Sequence, residues 1–357
     1  MRHQNSCPSK PLISASHAAA RGARWLQPLL ATATGQLEPE WRGVTMTSLS
    51  RLARMLPAVI MPFAFVGVVS LSAQAAYQIT SIDYPGVGFT EVFGINDRGL
   101  VVGISNTSFT YDSRAGVFTP VPDDPDAPFS SVLGVNDLGV MAGAESRNPP
   151  TENGFVRSKD GTFTAFSKPG ADSTEPRGIS NRGLVTGFSF ENGFTSTVGF
   201  IYNPVDNTFI EILPGPNTAA QGINASGEVV GSAALPAGVA CTGCPAGTYG
   251  WLRAPSGDFT FFQVNGRRTR ARGISDSGVI TGFIFDPVSG RNKGFVVRLA
   301  HSPYQSFSVP DAELLEMPGA VSTAPQAINN SGEIVGTWLD ASFGFHGFIA
   351  TPLPSGR

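Results

Sequence analysis

Few residues of this chain are of a type and spacing that could do chemistry. Of the four histidines only His301 and His346 lie beyond residue 76, at unmatched positions. No Ser-His-Asp arrangement, no glycine loop opening a helix and no His-rich metal spacing is visible, so no catalytic residue, no cofactor and no metal site is expected. His346 reads as an ordinary strand residue. The acidic loop Asp123-Asp124-Pro125-Asp126 has a weak surface calcium site as its sharper reading. Cys241 and Cys244 enclose Thr and Gly, and in an oxidising compartment such a pair closes a small loop disulfide. A redox-active pair would need a helix to lower its thiol pKa, and Pro, Gly and Ala surround these cysteines instead.

Two sets of charged side chains could bind or react. Arg267-Arg268-Thr269-Arg270-Ala271-Arg272 is the single basic cluster of an otherwise acidic region, and arginine's planar fork suits carboxylate or sulfate groups on an extracellular polymer. As a charge run at a loop it has a plainer reading, a solvated surface. Glu91 and Glu175 supply the two carboxylates that glycoside chemistry requires.

These residues belong to a repeat. Thr or Ser, three residues, Gly-Ile-Asn, two residues, Gly and an apolar stretch ending in Gly recur six times, with the central units at Gly94, Gly134, Gly178, Gly222, Gly273 and Ala327. A Gly-aromatic-aliphatic strand follows, as in Gly199-Phe200-Ile201 and Gly250-Trp251-Leu252, and then a strand alternating Phe with polar residues. Four short strands at intervals of 40 to 54 residues describe the blades of a six-bladed β-propeller, an all-β fold. Asn96-Asp97-Arg98-Gly99 reads as a three-residue hairpin with a glycine bulge. The last copy lacks its fourth strand, and Tyr77 to Tyr84 matches what is missing, so the N-terminal strand is expected to complete the last blade.

On the innermost strand, the positions three and one before the motif glycine should ring the channel mouth. They are Glu91 and Phe93, Ser131 and Leu133, Glu175 and Arg177, Ala219 and Gln221, Arg270 and Arg272, Ala324 and Gln326. The candidate ligand-binding set is Glu91, Glu175, Arg177, Gln221, Arg270, Arg272 and Gln326, with a solvated channel rim as the plainer reading.

Asp83-Tyr84-Pro85-Gly86, the Gly94 to Gly99 motif and His346-Gly347-Phe348 resemble the bacterial extracellular proteins with HAF repeats, over nearly all of Tyr77 to Pro354. That resemblance implies export and brings no catalytic residues with it. Many such proteins end in a Pro-Glu-Pro sorting tail. This chain ends Pro352-Leu353-Pro354-Ser355-Gly356-Arg357, which implies release rather than envelope anchoring.

The rest of the chain agrees. Arg51 and Arg54, the apolar run Met55 to Leu71 and Ala73-Gln74-Ala75 form a secretory signal over 46–75, with an uncleaved anchor as the alternative. Residues 1–45 look like upstream sequence read through before a start at Met46, and 76–357 form the propeller. Seven of the 24 Lys and Arg and two of the 27 Asp and Glu precede Tyr77, leaving 17 basic against 25 acidic residues. Such a balance argues against nucleic acid or an anionic membrane as partner. The expectation is a secreted or periplasmic monomer that acts as a non-catalytic binding module. Its partner would be an extracellular polysaccharide or a surface protein, and a carbohydrate-active enzyme on the same fold is the alternative.

Overall fold

The computed structural model describes residues 77–148, 151–234, 247–299, 306–310 and 312–354. Cys241, Cys244, His301 and the segments 1–45 and 46–75 lie outside the described residues. Among those described the chain is all-β, with six antiparallel four-stranded sheets arranged as the blades of a propeller. The innermost strands of blades one to six are Glu91–Ile95, Phe129–Val135, Ser173–Ile179, Ala219–Ile223, Thr269–Ile274 and Ser322–Ile328.

Two small positions per blade, both glycine except for Ala327 in blade six, make this stacking possible. The first belongs to Gly-Ile-Asn and lies where neighbouring inner strands converge. A Cβ on Gly134 would sit 2.9 Å from Arg177 O, and one on Gly222 would sit 2.8 Å from Arg272 O. The second lies on the next strand, directly opposite the large aromatic of the third: Gly103 faces Phe109, Gly187 faces Phe200 and Gly336 faces Phe348. A Cβ on Gly103 would meet Phe109 Cζ at 2.5 Å, so the ring lies across the bare glycine backbone and seals it. Phe109, Phe155, Phe200, Trp251, Phe295 and Phe348 are in consequence fully buried, and each blade seam has its own apolar cluster. Burying a side chain of that size contributes about 1.5–3 kcal/mol.

The hairpin after each inner strand has the expected chemistry and one further role. Gly99 has φ of 79°, a conformation open to glycine, and Asn96 Oδ1 accepts hydrogen bonds from Arg98 N and Leu100 N at 3.0 and 2.9 Å. The same side chain also reaches the next blade, because Asn96 Nδ2 donates to Asn136 O at 3.0 Å. Asn136 repeats this to Ser180 O, Asn224 to Ser275 O and Asn329 to Asn96 O. A second series runs alongside it. Asp97 N donates to Asp137 Oδ1, Asp137 N to Asn181 Oδ1, Ala225 N to Asp276 Oδ1, Asp276 N to Asn330 Oδ1 and Asn330 N to Asp97 Oδ1.

Two elements go beyond the simple repeat. Ser306–Val309, in the insertion of blade five, runs parallel to Phe259–Val264 and adds a fifth strand to blade four, with Asn265 N bonded to Val309 O at 2.9 Å. Blade six is built from Ser322–Ile328, Ile334–Leu339, Phe345–Pro352 and, outermost, Tyr77–Ile82, with Ser81 opposite Phe348. His346 stands beside that strand, stacked on Trp338 and bonded through Nδ1 to Asp83 Oδ1 at 2.8 Å, while Trp338 Nε1 donates to Ser81 Oγ at 3.3 Å. Deleting Tyr77 to Tyr84 removes these bonds and bares the edge of Phe345–Pro352. The truncated protein is expected to melt at lower temperature or to aggregate, and a melt equal to that of the longer protein would show that this strand does not latch the ring.

Candidate channel site

Each inner strand has a β-bulge, and the bulge decides which side chain reaches the axis. Pairing shifts between Val92 and Gly94, Val132 and Gly134, Pro176 and Gly178, Ala271 and Gly273, Pro325 and Ala327, and across Gln221 and Gly222 in blade four. The extra residue in each blade is the one just before the motif glycine: Phe93, Leu133, Arg177, Gln221, Arg272 and Gln326. A bulged residue is released from the regular alternation of the ladder and re-aimed. All six line a cavity of about 90 Å³ on the propeller axis, together with the glycine or alanine and the aliphatic residue that follow them.

Of the candidate set, Arg177, Gln221, Arg272 and Gln326 thus converge on one cavity. Glu91, Glu175 and Arg270, three before the motif glycine, are not among its lining residues. Glu175 is buried and ion-paired with Arg177 at 2.9 Å. Glu91 is only 3% exposed, and its Oε2 has no hydrogen-bond partner. Burial pushes its carboxyl up to about 8, against the opposing pull of the Arg177 guanidinium. Arg270 is partly buried opposite Phe283, and burial followed by the nearby charge of Arg268 holds it below the usual guanidinium value.

Arg272 has the least compensated charge. Its Nη1 donates to Gln221 Oε1 at 2.8 Å, its Cζ lies 5.2 Å from the centre of the Phe283 ring, and its Nε is buried with no hydrogen-bond partner. Among the described residues no carboxylate pairs with it. Burial, then Arg177 and Arg270, lower its affinity for its proton well below that of an ordinary arginine. Arg177 lies in the matching arrangement over Phe188, at 5.1 Å. A guanidinium stays protonated in proteins, so these groups face the cavity as cations whose loss of water is only partly made good.

Other candidates are engaged in structural work. Arg267 is ion-paired with Asp286, and Arg268 is exposed. Arg147 bonds Asp124 Oδ2 at 3.0 Å and approaches Asp126 at 3.8 Å, while Asp123 Oδ1 accepts from Ser130 N and Oγ. The acidic loop is therefore a braced turn, and among the described residues no group of three metal-ligating side chains occurs. At the hairpin end of the channel a second cavity of about 70 Å³ is rimmed by Asp97, Asp137 and Asp276, whose oxygens accept hydrogen bonds from neighbouring blades. No helix among the described residues is long and apolar enough to cross a membrane.

No family model and no curated protein matches the chain. Among solved structures it is similar to a candidate gluconolactonase, at 14% identity and a TM-score of 0.45, covering 79% of this chain and 96% of that one. It is also similar to the β-propeller domain of the Trilobed protease from Pyrococcus furiosus, at 11% identity and 0.42, covering 75% and 86%. A third is Trypanosoma rangeli sialidase, at 7% and 0.42, covering 78% and 58%. At those values the likeness carries nothing about the chemistry of this chain.

Glu91 gives a pH test of the site. The folded state keeps a proton that an unfolded glutamate releases above about pH 4.5, so the stability this proton contributes is complete below that value and is lost as pH rises through about 8. Urea denaturation of Glu91→Gln, whose amide does not titrate, is expected to gain on the natural protein across that interval. A constant difference between the two proteins would place the Glu91 carboxyl in water.

Proposed function

We propose that the protein is an exported, non-catalytic binding module that takes the anionic group of its ligand into the axial cavity. The observation that carries this reading is Arg272, a cavity-lining guanidinium without a carboxylate partner among the described residues. An incoming anion would supply the missing charge and accept the unused N–H donors, in a setting where charge-assisted bonds are worth about 1.5–3 kcal/mol each. An acidic extracellular polysaccharide or a surface protein would offer such a group. Ligands that bind only the folded state raise its stability, so a thermal-shift screen of anionic against neutral compounds on residues 76–357 is the direct test. Anions are expected to raise the melting temperature, and Arg272→Met to abolish the rise. A rise that survives Arg272→Met would place the site elsewhere.

One observation favours the enzyme reading. The Glu91 carboxyl, held neutral into the neutral pH range, has the protonation state of a general acid. Its near-complete burial and the Arg177 ion pair on Glu175 weigh against it, since neither carboxyl is presented to the cavity. Hydrolysis or eliminative cleavage of an acidic glycan, lost in Glu91→Gln, would favour this reading over binding alone.

Export rests on the signal-like segment before Tyr77. Mass spectrometry of the protein recovered from culture medium and periplasm is expected to find an N-terminus near Ala76, and a species retaining Met46 would overturn cleavage.

A further inference from the structure

The axial cavity has two unlike halves. Blades one and two contribute Phe93 and Leu133, and Leu133 is buried with Ile104 and Ala144 in an apolar cluster against which Phe93 packs. Blades three to six contribute Arg177, Gln221, Arg272 and Gln326 to the same space. Both arginines are fixed, one by Glu175 and Phe188, the other by Gln221 and Phe283. Every blade adds an aliphatic residue to the lining, so the contrast lies at the bulged positions alone, apolar in blades one and two and cationic or amide in blades three to six.

We infer that the cavity binds a short-chain monocarboxylic acid as its anion, with the carboxylate on Arg272 and Gln221 and a tail of one to three carbons against Phe93. This rests on the anion-binding reading above and names the ligand class for the same site. Three features select it. The free donors of Arg272 form a planar fork that matches a carboxylate. The apolar half has no polar side chain to hydrate a second charged end, which selects against dicarboxylates. Size favours a small ligand, because a cavity of about 90 Å³ falls below the ~150 Å³ of a cavity known to hold benzene. Each methylene moved from water onto Phe93 adds to affinity, so binding should strengthen from acetate to butyrate.

Calorimetric titration of residues 76–357 with acetate, propionate, butyrate, propionamide, sulfate and an oligouronate tests this without requiring any variant to fold. Affinity is expected to rise about two- to fourfold per added carbon, propionamide to be silent and sulfate to bind more weakly than butyrate. Arg272→Gln should weaken butyrate by at least about tenfold. Phe93→Ser should flatten the chain-length series, with circular dichroism confirming the fold of both variants. Sulfate binding as tightly as butyrate, or a flat series in the natural protein, would overturn the monocarboxylate while leaving an Arg272 anion site standing. An oligouronate that binds through Arg272 when the short acids do not would have the same meaning. Silence of every anion, or binding indifferent to Arg272→Gln, would remove the anion-binding reading itself.

Discussion

The closeness with which six inner strands meet at the axis governs this structure. A Cβ on Gly94 would come within 3.2 Å of Gly134 Cα, and one on Gly273 within 2.9 Å of Ala327 Cα, so backbone packs against backbone around the ring. Strands brought so near cannot continue as regular ladders, and each bulges at the residue before its motif glycine or alanine. The bulge turns one side chain per blade inward. A steric requirement of the fold thereby creates six positions free to carry chemistry. Their occupants differ from blade to blade where the surrounding motif hardly changes.

The electrostatics follow from that placement. Two guanidiniums share a small space among phenyl rings, with one ion pair and one amide to offset their lost hydration. Replacing such cations by apolar residues of similar volume would be neutral or stabilising in many proteins. Phe93 and Leu133 show that apolar residues fit the same position in this one. The stability forgone at Arg177 and Arg272 is the physical reason to look for a ligand here. Glu91 belongs to the same balance, since a neutral carboxyl leaves Glu175 as the charged partner facing the two cations.

Much of this architecture was legible in the repeat. Glycines at fixed offsets marked the strand convergence, the aromatic after each Gly marked the third strand, and the Asn-x-x-Gly turn announced itself by its residue types. The candidate site was legible only by half. Strict alternation puts the residues three and one before the motif glycine on the same face, and this grouped Glu91, Glu175 and Arg270 with the true lining residues. The bulge breaks that parity, and it belongs to the pairing of the inner strand with the next, which no single strand's alternation displays. For the same reason the turn asparagines showed their local bonds in advance but not their bonds to the next blade. Ser306–Val309, pairing with a strand more than forty residues earlier, left no periodic trace.

The joints between blades are unequal. Where blade three meets blade four, Ser180 stands in place of the turn asparagine and Ala225 in place of the side chain that would receive Asn181 N, so both hairpin series skip that seam. The Ser180 hydroxyl there is buried without a partner, and Thr186 Oγ1 bridges to Gln221 O at 2.6 Å instead. Ser275 interrupts the first series again where blade five meets blade six, but the second continues there, so among the described residues the softest joint lies between Arg177 and Gln221, on the wall of the cavity. Amide exchange should be fastest along it. A propeller is usually pictured as a rigid disc, but this one has a preferred line along which to breathe, and that line runs down the wall of its cavity.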